Sequence, residues 1–382
     1  MRVMHVIEAM HQGGAESLVI EHVRHAGPDV ESRVCALNRG GAALDQAAAL
    51  GARVEVLRRR SGALERAAGI ARLASRLSEA RIEVVNGHNP TGSLYGTIAA
   101  AIARVPVVVR TEHSIHYAGR HSAFYAGLER WTTRRSAAVV CVCEAVRDSH
   151  ARRFPGIEDR FVTVMNGIGP AAPSRSRADV RRELGVSESG LLVLAVGSLT
   201  PQKAQHLLID AIAEVEREQP AVRVAIAGDG VLRGALEQRI RAAALSGAVT
   251  LLGPRADVGD LMQAADLFAL TSEREGLSVT LLEAMRAGLP AVATRVGGNG
   301  EAVADGESGL LVAPGDAGAL ARAIGGLLSD PERRTAMGRE ATARWAARFT
   351  ATRMVAETEA LYRRALEPGA RAGAARAAGG RT

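Results

Sequence analysis

The strongest constraint on the fold is an alternation of short apolar runs with amphipathic helical patterns. The runs that predict strands in the first half of the chain are residues 2–8, Ser32–Leu37, Arg53–Leu57, Glu83–Asn86, Val105–Arg110, Ala137–Val142 and Phe161–Met165. Helical patterns lie between them at Ala63–Ala80, Ser93–Ala103, Ala123–Arg135 and Glu144–Arg153. Alternation of this kind predicts a parallel sheet with helices on both faces.

A second series of the same kind follows a linker-like stretch rich in Gly, Pro, Ala and Ser at Gly167–Ser176. Its predicted strands are Leu191–Val196, Val222–Ala227, Val249–Leu252, Asp266–Leu270 and Ala291–Thr294. Its predicted helices are Lys203–Glu216, Leu232–Ala244 and Val258–Ala264, with three more helical patterns up to about Leu366. The sequence therefore predicts a second parallel sheet.

The length of 382 residues exceeds what one hydrophobic core usually fills. We therefore expect an α/β fold of two Rossmann-like domains that face each other across a cleft. The expected ranges are 1–172 for the N-terminal domain, 173–348 for the C-terminal domain, 349–366 for a helix that crosses back to the N-terminal domain, and 367–382 for a disordered tail. The tail is mostly Gly, Ala and Arg, a composition that buries too little apolar surface to fold.

The net charge of +7 and the pI of about 10.1 raise the question of a nucleic-acid partner. An aromatic content of 3% argues against base-stacking platforms, and no helix-turn-helix or zinc-finger spacing is present. We therefore expect no specific nucleic-acid partner. Arginine supplies almost all the positive charge, and Lys203 is the only lysine. A lone lysine indicates a position where a compact ammonium is preferred over a planar guanidinium.

The chain carries no run of about twenty apolar residues that would predict a membrane span. The first residues predict a short strand with an early acid, not a signal peptide. The cysteines Cys35, Cys141 and Cys143 lie in apolar runs without metal-ligand spacing, so we interpret them as small buried hydrophobic residues. These features predict a cytoplasmic protein.

Polar residues collect where the strands of the first domain end, and in parallel sheets ligands bind beyond the carboxyl ends of strands. These residues are Gly14, His88, Asn89, Thr111, Glu112, His113 and Asn166. The pair Gly13-Gly14 lies at a strand-to-helix turn, where backbone N–H groups can approach an anion. Each feature alone is also typical of an ordinary loop.

A basic helix follows Arg58-Arg59-Arg60 and carries Arg66, Arg72, Arg76 and Arg81. Its apolar positions, Ile70, Leu73 and Leu77, predict packing on the sheet with the arginines outward. A solvated face is one interpretation, and peripheral docking to an anionic membrane, at its inner face, is the other.

The most informative stretch of the second domain contains Glu275 and Glu283, eight residues apart in a loop that enters an apolar helix. A carboxylate at a helix start is stabilised by unpaired N–H groups. An acid on the buried side of a helix needs a partner, so Glu283 requires another explanation. Taken alone, the pair is equally typical of a solvated helix face.

Neighbouring segments favour a ligand site instead. Lys203 enters a helix after Gly197, where a cation opposes the helix dipole unless an anion lies over the helix start. The N–H groups near Ser278–Thr280 would suit another phosphate oxygen. Glu283 could then accept from both hydroxyls of a ribose, and Glu275 from hydroxyls of the group that the diphosphate carries. The pattern predicts a nucleotide-diphosphate-sugar ligand.

At these residues the chain resembles the retaining glycosyltransferases of family 4, which have the two-domain GT-B fold. The resemblance covers about residues 1–365. In the second domain it rests on Gly197, Lys203, Gly228-Asp229-Gly230, Gly253, Asp266, Ser272, Glu275-Gly276, Glu283-Ala284-Met285, Gly288, Pro290, Gly297-Gly298, Glu301, Asp305-Gly306 and Gly309. In the first domain Gly13-Gly14-Ala15-Glu16, Thr111-Glu112-His113, Cys143-Glu144-Ala145 and Asn166-Gly167 also fit.

The resemblance implies roles for individual residues. Lys203 would hold the diphosphate with the amides near Val279 and Thr280 and with the loop at Gly14. Glu283 would bind the ribose. The residues expected to act in catalysis are His113, Lys203 and Glu275, and those expected to bind the donor are Gly14, Ser198, Lys203, Glu275, Gly276, Val279, Thr280 and Glu283. The family needs no metal or cofactor, and the leaving diphosphate itself accepts the acceptor's proton.

Two positions depart from the family pattern. Ser198 stands where an arginine commonly follows Gly197, and Arg255 or Arg295 could replace that missing cation. The turn Asn166-Gly167-Ile168-Gly169 lacks an acid that the family often carries there. Because both glutamates remain, we expect an active enzyme.

The sequence leaves the substrates open. A UDP-sugar is favoured over a GDP-sugar, and the acceptor could be a sugar, a lipid-linked molecule or a small metabolite, as in cell-surface polysaccharide or glycolipid assembly. The alternatives are a nucleotide-sugar epimerase on the same fold and a non-catalytic, arginine-rich binding protein. A dehydrogenase is disfavoured because Gly13-Gly14 lacks the dinucleotide fingerprint.

Overall fold

The computed structural model describes residues 1–11, 13–58, 62–115, 123–187, 189–219 and 221–368. The predicted tail falls almost wholly outside this part. Contacts divide the chain into two compact units. The N-terminal unit comprises Met1–Gly167 and the last helix, and the C-terminal unit is Ile168–Thr350.

The N-terminal unit contains a parallel sheet whose described strands lie in the order β3-β2-β1-β4-β5-β6-β7. The strands are β1 Arg2–Ala9, β2 Glu31–Arg39, β3 Arg53–Val56, β4 Val84–His88, β5 Val107–Glu112, β6 Ala138–Cys141 and β7 Phe161–Thr163. The helices are α1 Gly14–Arg24, α2 Ala42–Ala49, α3 Ala63–Glu79, α4 Asn89–Ala103, α5 Ala123–Arg135 and α6 Glu144–Arg153, to which α15 Ala351–Leu366 is added from the end of the chain.

The C-terminal unit contains a second parallel sheet in the order β10-β9-β8-β11-β12-β13. Its strands are β8 Leu191–Val196, β9 Val222–Ala227, β10 Val249–Gly253, β11 Leu267–Leu270, β12 Ala291–Thr294 and β13 Gly309–Val312. Its helices are α7 Arg177–Glu183, α8 Gln205–Glu218, α9 Arg233–Ala242, α10 Val258–Ala264, α11 Val279–Arg286, α12 Asn299–Ala302, α13 Ala317–Leu328 and α14 Pro331–Arg348. The predicted pair of Rossmann-like α/β domains is thus confirmed.

The sequences of the central strands are continuous apolar runs because helices cover both faces of each sheet. In α3, Leu73 and Leu77 are fully buried and lie one turn apart, and the arginines of that helix are exposed, as predicted. Several helices begin at recognisable caps, such as Asp330, whose side chain accepts from the Arg333 N–H at 2.9 Å ahead of Pro331. Cys35, Cys141 and Cys143 are buried and unbridged, as predicted.

The predicted ends of β4 and β5 were wrong, because both strands run two residues further. The polar residues His88 and Glu112 therefore belong to strands and not to the loops beyond them. Polar groups can extend a buried strand when partners satisfy them, and both residues have such partners. The helix that follows β4 begins at Asn89 and not Ser93, with Pro90 in its first turn.

Two further details were missed. Strand β13 was not predicted, although its Gly309 pairs with Ala291 of β12. The expected helix from Lys203 was wrong at its start: Pro201–Lys203 form a 3₁₀ turn, Ala204 takes a left-handed φ of 47°, and α8 begins at Gln205. Lys203 is thereby held in the turn between strand and helix.

The linker-like stretch is fixed to the C-terminal unit. The Asp260 carboxylate accepts from the backbone N–H of Ser174 at 2.6 Å, from its hydroxyl at 2.7 Å and from the N–H of Arg175 at 3.2 Å. Ile168 pairs with Thr350, the last residue of the same unit. This stretch is therefore part of a packed unit rather than a free connection.

Candidate active site

The order of strands in the C-terminal unit reverses between β8 and β11, so the loops after these two strands diverge around a crevice. Ligands bind at such switch points in open α/β sheets. Lys203 follows β8 and Glu275 follows β11. The two residues predicted to contact diphosphate and sugar therefore lie at the position where the fold favours a ligand.

Lys203 and Glu275 form an ion pair in which Nζ lies 2.5 Å from Oε1. The Ser272 hydroxyl donates to the same oxygen at 2.6 Å. Glu275 is 8% exposed and the Lys203 side chain 19%, so the pair is largely removed from water. The sequence indicated separate contacts for the two residues, and neither their pairing nor the contribution of Ser272 was predicted from it.

The loops after β8 and β11 are tied together by hydrogen bonds around this pair. The Thr271 hydroxyl donates to the Lys203 carbonyl at 2.9 Å, and the Glu273 N–H donates to the Gln202 carbonyl at 2.9 Å. The side-chain amide of Gln202 donates a hydrogen bond to the Arg274 carbonyl at 3.0 Å. Since these bonds fix the backbone on both sides, the geometry of the Lys203–Glu275 pair is set before any ligand binds.

Two glycines allow the loops to approach closely. A Cβ at Gly228, where φ is +138°, would lie 2.0 Å from the carbonyl oxygen of Gly197. A Cβ at Gly297, where φ is +50°, would lie 2.0 Å from the carbonyl oxygen of Glu275. Any other residue at these positions would have to displace backbone. The Gly-Asp-Gly and Gly-Gly motifs therefore bring the site's loops together.

Helix α11 begins directly after the Glu275 loop. Its first residues are Val279 and Thr280, whose backbone N–H groups have no acceptor within the helix. Gly276 is buried, and its carbonyl accepts from the Gly298 N–H at 2.5 Å. Glu283 lies one turn into α11 and is half-buried. Glu275 itself is in the loop, so the two glutamates do not share a helix face.

Ser198 is exposed, and its hydroxyl lies 3.5 Å from that of Thr200. The two arginines suggested as replacements for the missing cation are already engaged with carboxylates. Arg255 donates to both oxygens of Asp257, at 2.7 and 2.6 Å, and to Glu183 at 2.7 Å. Arg295 pairs with Asp305. Either arginine would have to exchange these contacts to reach a phosphate.

In the N-terminal unit, Gly14 is the exposed first residue of α1, behind Gly13 as the N-cap. The Glu16 carboxylate lies over this turn, 2.4 Å from where a Cβ at Gly13 would be. Burial raises the pKa of Glu16, opposed by its own backbone N–H and by His11. The helix start predicted to approach the diphosphate thus carries an acid of its own.

His113 follows β5, and its Nε2 lies 3.1 Å from Nδ1 of His88. Its own Nδ1 is buried and bonds to no group among the described residues. Burial lowers the pKa of His113 to about 4, although the nearby Glu112 opposes this. His113 is therefore neutral near pH 7 and can donate or accept a hydrogen bond without carrying charge.

Glu112, grouped from the sequence with the polar residues at the strand ends, is bound within the N-terminal unit. Its carboxylate accepts from Arg110 Nη2 at 2.6 Å, with both side chains about 3% exposed. The other terminal nitrogen of Arg110 donates to the hydroxyls of Thr132 at 3.0 Å and Thr133 at 2.7 Å. Successive strand residues point to opposite faces of the sheet. The side chain of Glu112 therefore lies on the face opposite to the side chains of Thr111 and His113.

Among the described residues, no group of three His, Cys, Asp or Glu side chains is placed to hold a metal ion. None of the described helices combines the length and the apolar character that a membrane span requires.

Comparison with known proteins agrees with this fold. A family model described as "Glycosyltransferase Family 4" matches residues 12–171, and one described as "Glycosyl transferases group 1" matches residues 176–344. The D-inositol 3-phosphate glycosyltransferase of Kineococcus radiotolerans is 33% identical over 338 residues, which cover 78% of this chain and 75% of the relative. The putative glycosyltransferase EpsD of Bacillus subtilis is 28% identical over 295 residues, covering 73% and 76%.

Among solved structures, Alr3699/HepE from Anabaena in complex with UDP-glucose superposes with a TM-score of 0.84 at 26% identity, covering 94% of this chain and 99% of that one. WaaG, a glycosyltransferase involved in lipopolysaccharide biosynthesis, superposes with a TM-score of 0.74 at 20% identity and covers 94% and 98%, which shows the shared fold. The chain belongs to glycosyltransferase family 4 and is a glycosyltransferase of the GT-B type.

Proposed function

We propose that this glycosyltransferase moves a hexose from a UDP-sugar to a hydroxyl acceptor with retention of anomeric configuration. The observation that carries the proposal is the Lys203–Glu275 pair, held by Ser272 at the switch point beside the start of α11. The structure of Alr3699/HepE with UDP-glucose, a protein of the same fold at 26% identity, supports UDP over GDP as the donor base.

In the proposed mechanism Lys203 stabilises the charge that develops on the leaving diphosphate. Its ammonium has three N–H donors, of which Glu275 uses one, so the others are available to phosphate oxygens. The N–H groups of Val279 and Thr280 add the partial positive charge of a helix start. The leaving diphosphate accepts the proton of the acceptor hydroxyl, and no enzyme carboxylate attacks the sugar. Charge stabilisation on the leaving group is then the main catalytic contribution.

The two glutamates have different proposed contacts. Glu275 Oε1 already accepts from Lys203 and Ser272, so we assign hydroxyls of the donor sugar to Oε2. Glu283, one turn into α11, is assigned to the ribose hydroxyls. Gly276, Gly14 and Ser198 complete the proposed donor contacts through backbone or hydroxyl groups.

His113 is proposed to contact the donor sugar through Nδ1, the ring nitrogen without a protein partner among the described residues. The reaction is proposed to need neither metal nor cofactor. The acceptor is proposed to be a sugar or lipid-linked hydroxyl in cell-surface assembly at the cytoplasmic face of a membrane, with the exposed arginines of α3 as a peripheral contact to anionic lipid.

The test begins with thermal unfolding of the whole protein against a panel of nucleotide-sugars, since a bound ligand raises the melting temperature by mass action. We expect UDP-sugars to raise it more than GDP-sugars and nicotinamide dinucleotides to have no effect. Turnover should be unchanged by EDTA, and proton NMR of the product should show the anomeric configuration of the donor.

Three outcomes would contradict parts of this proposal. Isomerisation of the donor sugar without nucleotide release would identify an epimerase. Loss of turnover in EDTA with recovery on adding a divalent ion would remove metal independence. A product of opposite anomeric configuration would remove retention while leaving glycosyl transfer in place.

A further inference from the structure

A chain of three histidines, two of them buried and one half-buried, runs across neighbouring strands of the N-terminal unit. Nδ1 of His5, on β1, lies 3.0 Å from Nε2 of His88, at the end of β4. Nδ1 of His88 lies 3.1 Å from Nε2 of His113, directly after β5. His5 is 2% exposed and His88 fully buried. The chain therefore joins the interior of the sheet to the residue that we place against the donor sugar.

Strand register explains why these rings meet. The pairing of β1 with β4 sets His5 beside Asn86, and that of β4 with β5 sets His88 beside Thr111. His88 thus lies two residues beyond Asn86, the partner of His5. In the same way His113 lies two residues beyond Thr111, the partner of His88. Because side chains alternate with a period of two, all three rings point to one face and form a diagonal row.

The three rings are neutral near pH 7. Burial lowers the pKa of His5 and of His113 to about 4. Burial also holds the pKa of His88 well below its ordinary value, and the neighbouring histidines add to this effect. A neutral imidazole has one N–H donor and one acceptor nitrogen. Each hydrogen bond in the chain must therefore join a donor nitrogen of one ring to an acceptor nitrogen of the next.

This requirement couples the tautomers. If His5 donates from Nδ1, then His88 accepts at Nε2, carries its proton on Nδ1 and donates to Nε2 of His113. The proton of His113 is then on Nδ1, so that this nitrogen is a donor. If the bonds run the other way, all three protons are on Nε2, and Nδ1 of His113 is an acceptor. Mixed tautomers would break at least one of the two bonds.

We propose that His5 and His88 are positioning residues that determine whether His113 Nδ1 donates or accepts a hydrogen bond to the donor substrate. The identity of that substrate rests on the proposed function, whereas the coupling of the three tautomers does not. His22 packs on the far side of His5, with ring centroids 5.3 Å apart, and contributes burial to the chain.

The first experiment measures the ring tautomers by long-range ¹H–¹⁵N correlation in the whole protein, labelled at histidine and free of ligand. We expect His5, His88 and His113 to share one tautomer. In His5→Phe, which keeps an aromatic ring but removes both nitrogens, the tautomer populations of His113 should change although the two residues do not touch. Mixed tautomers in the wild type, or an unchanged His113 spectrum in a folded His5→Phe, would overturn the proposal.

The second experiment compares two conservative replacements of His88. An asparagine amide reaches the place of Nδ1 and can keep the bond to His113, whereas a glutamine amide reaches the place of Nε2 and can keep the bond to His5. We expect His88→Asn to retain kcat within a few-fold and His88→Gln to lose about tenfold or more, with KM for the donor less affected, because a small displacement of a contacting group costs rate. His22→Phe is the matched control, expected to leave kcat within about twofold.

The two readouts separate the inference from the proposed function. Equal activity of His88→Asn and His88→Gln at the wild-type level would overturn the positioning role. A wild-type protein that turns over no nucleotide-sugar would contradict the proposed function, and shared tautomers in that same sample would still support the coupling. If His88→Gln does not fold, the His5→Phe spectrum remains decisive.

Discussion

Lys203 and Glu275 lie 72 residues apart in the sequence and form an ion pair at 2.5 Å at the carboxyl ends of two adjacent strands. Ser272 donates to the same carboxylate oxygen. The pair is therefore one unit in which each residue orients the other, and replacements should show this in their kinetics.

We expect Lys203→Met to lower kcat/KM for the donor by about 100-fold or more, the loss typical of one preorganised donor to developing negative charge. Glu275→Gln should also lower kcat/KM for the donor, because a neutral amide attracts the Lys203 ammonium less strongly than the carboxylate does. Because the residues are in contact, the double variant should lose less than the product of the two single losses. Arg217→Met, at an exposed position on α8, is the control. Strict additivity would show that the two residues act independently.

Gly228→Ala should destabilise the C-terminal unit by more than about 1 kcal/mol, because the backbone there has a φ of +138° and the new Cβ would meet the Gly197 carbonyl. Gly234→Ala, six positions along in α9, is the matched control. Nothing lies within 4 Å of its Cβ position, so it should be neutral or stabilising by about 0.5–1 kcal/mol. Thermal unfolding measures both, and equal midpoints for the two variants would contradict this account of the Gly-Asp-Gly loop.

Glu112→Gln should destabilise the N-terminal unit by about 3–5 kcal/mol, since it leaves the Arg110 guanidinium buried without its carboxylate. The double variant Arg110→Met with Glu112→Leu removes both charges and should recover much of that loss. Urea unfolding followed by circular dichroism measures the difference. A single variant as stable as the wild type would show that the pair is not needed to hold this region.

Acid should destabilise the N-terminal unit through its buried histidines. The folded state keeps His5 and His113 neutral down to about pH 4 and His22 to about pH 3, whereas the unfolded chain protonates them near pH 6.5. Their contribution is therefore fully present above pH 6.5 and is lost as the pH falls towards 4. Each pKa unit corresponds to about 1.4 kcal/mol.

The measurement is the unfolding midpoint in urea between pH 7.5 and 4.5, compared with that of His22→Phe. The variant should lose less stability over this range than the wild type, and replacement of the exposed His11 is the control. The same pH slope in His22→Phe and the wild type would contradict the assignment.

The fold was predictable because the signals that specify it are local. Apolar strands and amphipathic helices alternate in the sequence, and all five strands predicted for the C-terminal unit begin and end where expected or within one residue, including Leu191–Val196 and Val222–Ala227. The errors fell where tertiary contacts override local pattern. His88 extends β4 because His5 and His113, from other parts of the chain, satisfy its ring nitrogens. Glu112 extends β5 because Arg110 of the same strand satisfies it, and that arginine is held in turn by Thr132 and Thr133 of α5.

The site was predictable as a set of residues but not as a set of contacts. Glu275, Lys203 and the glycines could be named because strand ends in one sheet converge on a common edge. The bonds between them depend on which loops cross at the switch point and on close backbone approaches at Gly228 and Gly297 that leave no room for a Cβ, which spacing does not encode. His5 gave no signal at all, since a single histidine inside a strand indicates nothing until the register sets it beside β4.

Helix α15 has a consequence for how the protein is made. Its Tyr362 hydroxyl accepts from Asn86 at 2.7 Å, and its Glu359 accepts from the Gly27 N–H at 2.9 Å, so it completes the N-terminal unit. The C-terminal unit is one uninterrupted segment whose ends meet where Ile168 pairs with Thr350. During synthesis the C-terminal unit is finished before α15 leaves the ribosome. The N-terminal unit, whose synthesis begins first, is therefore the last to be completed.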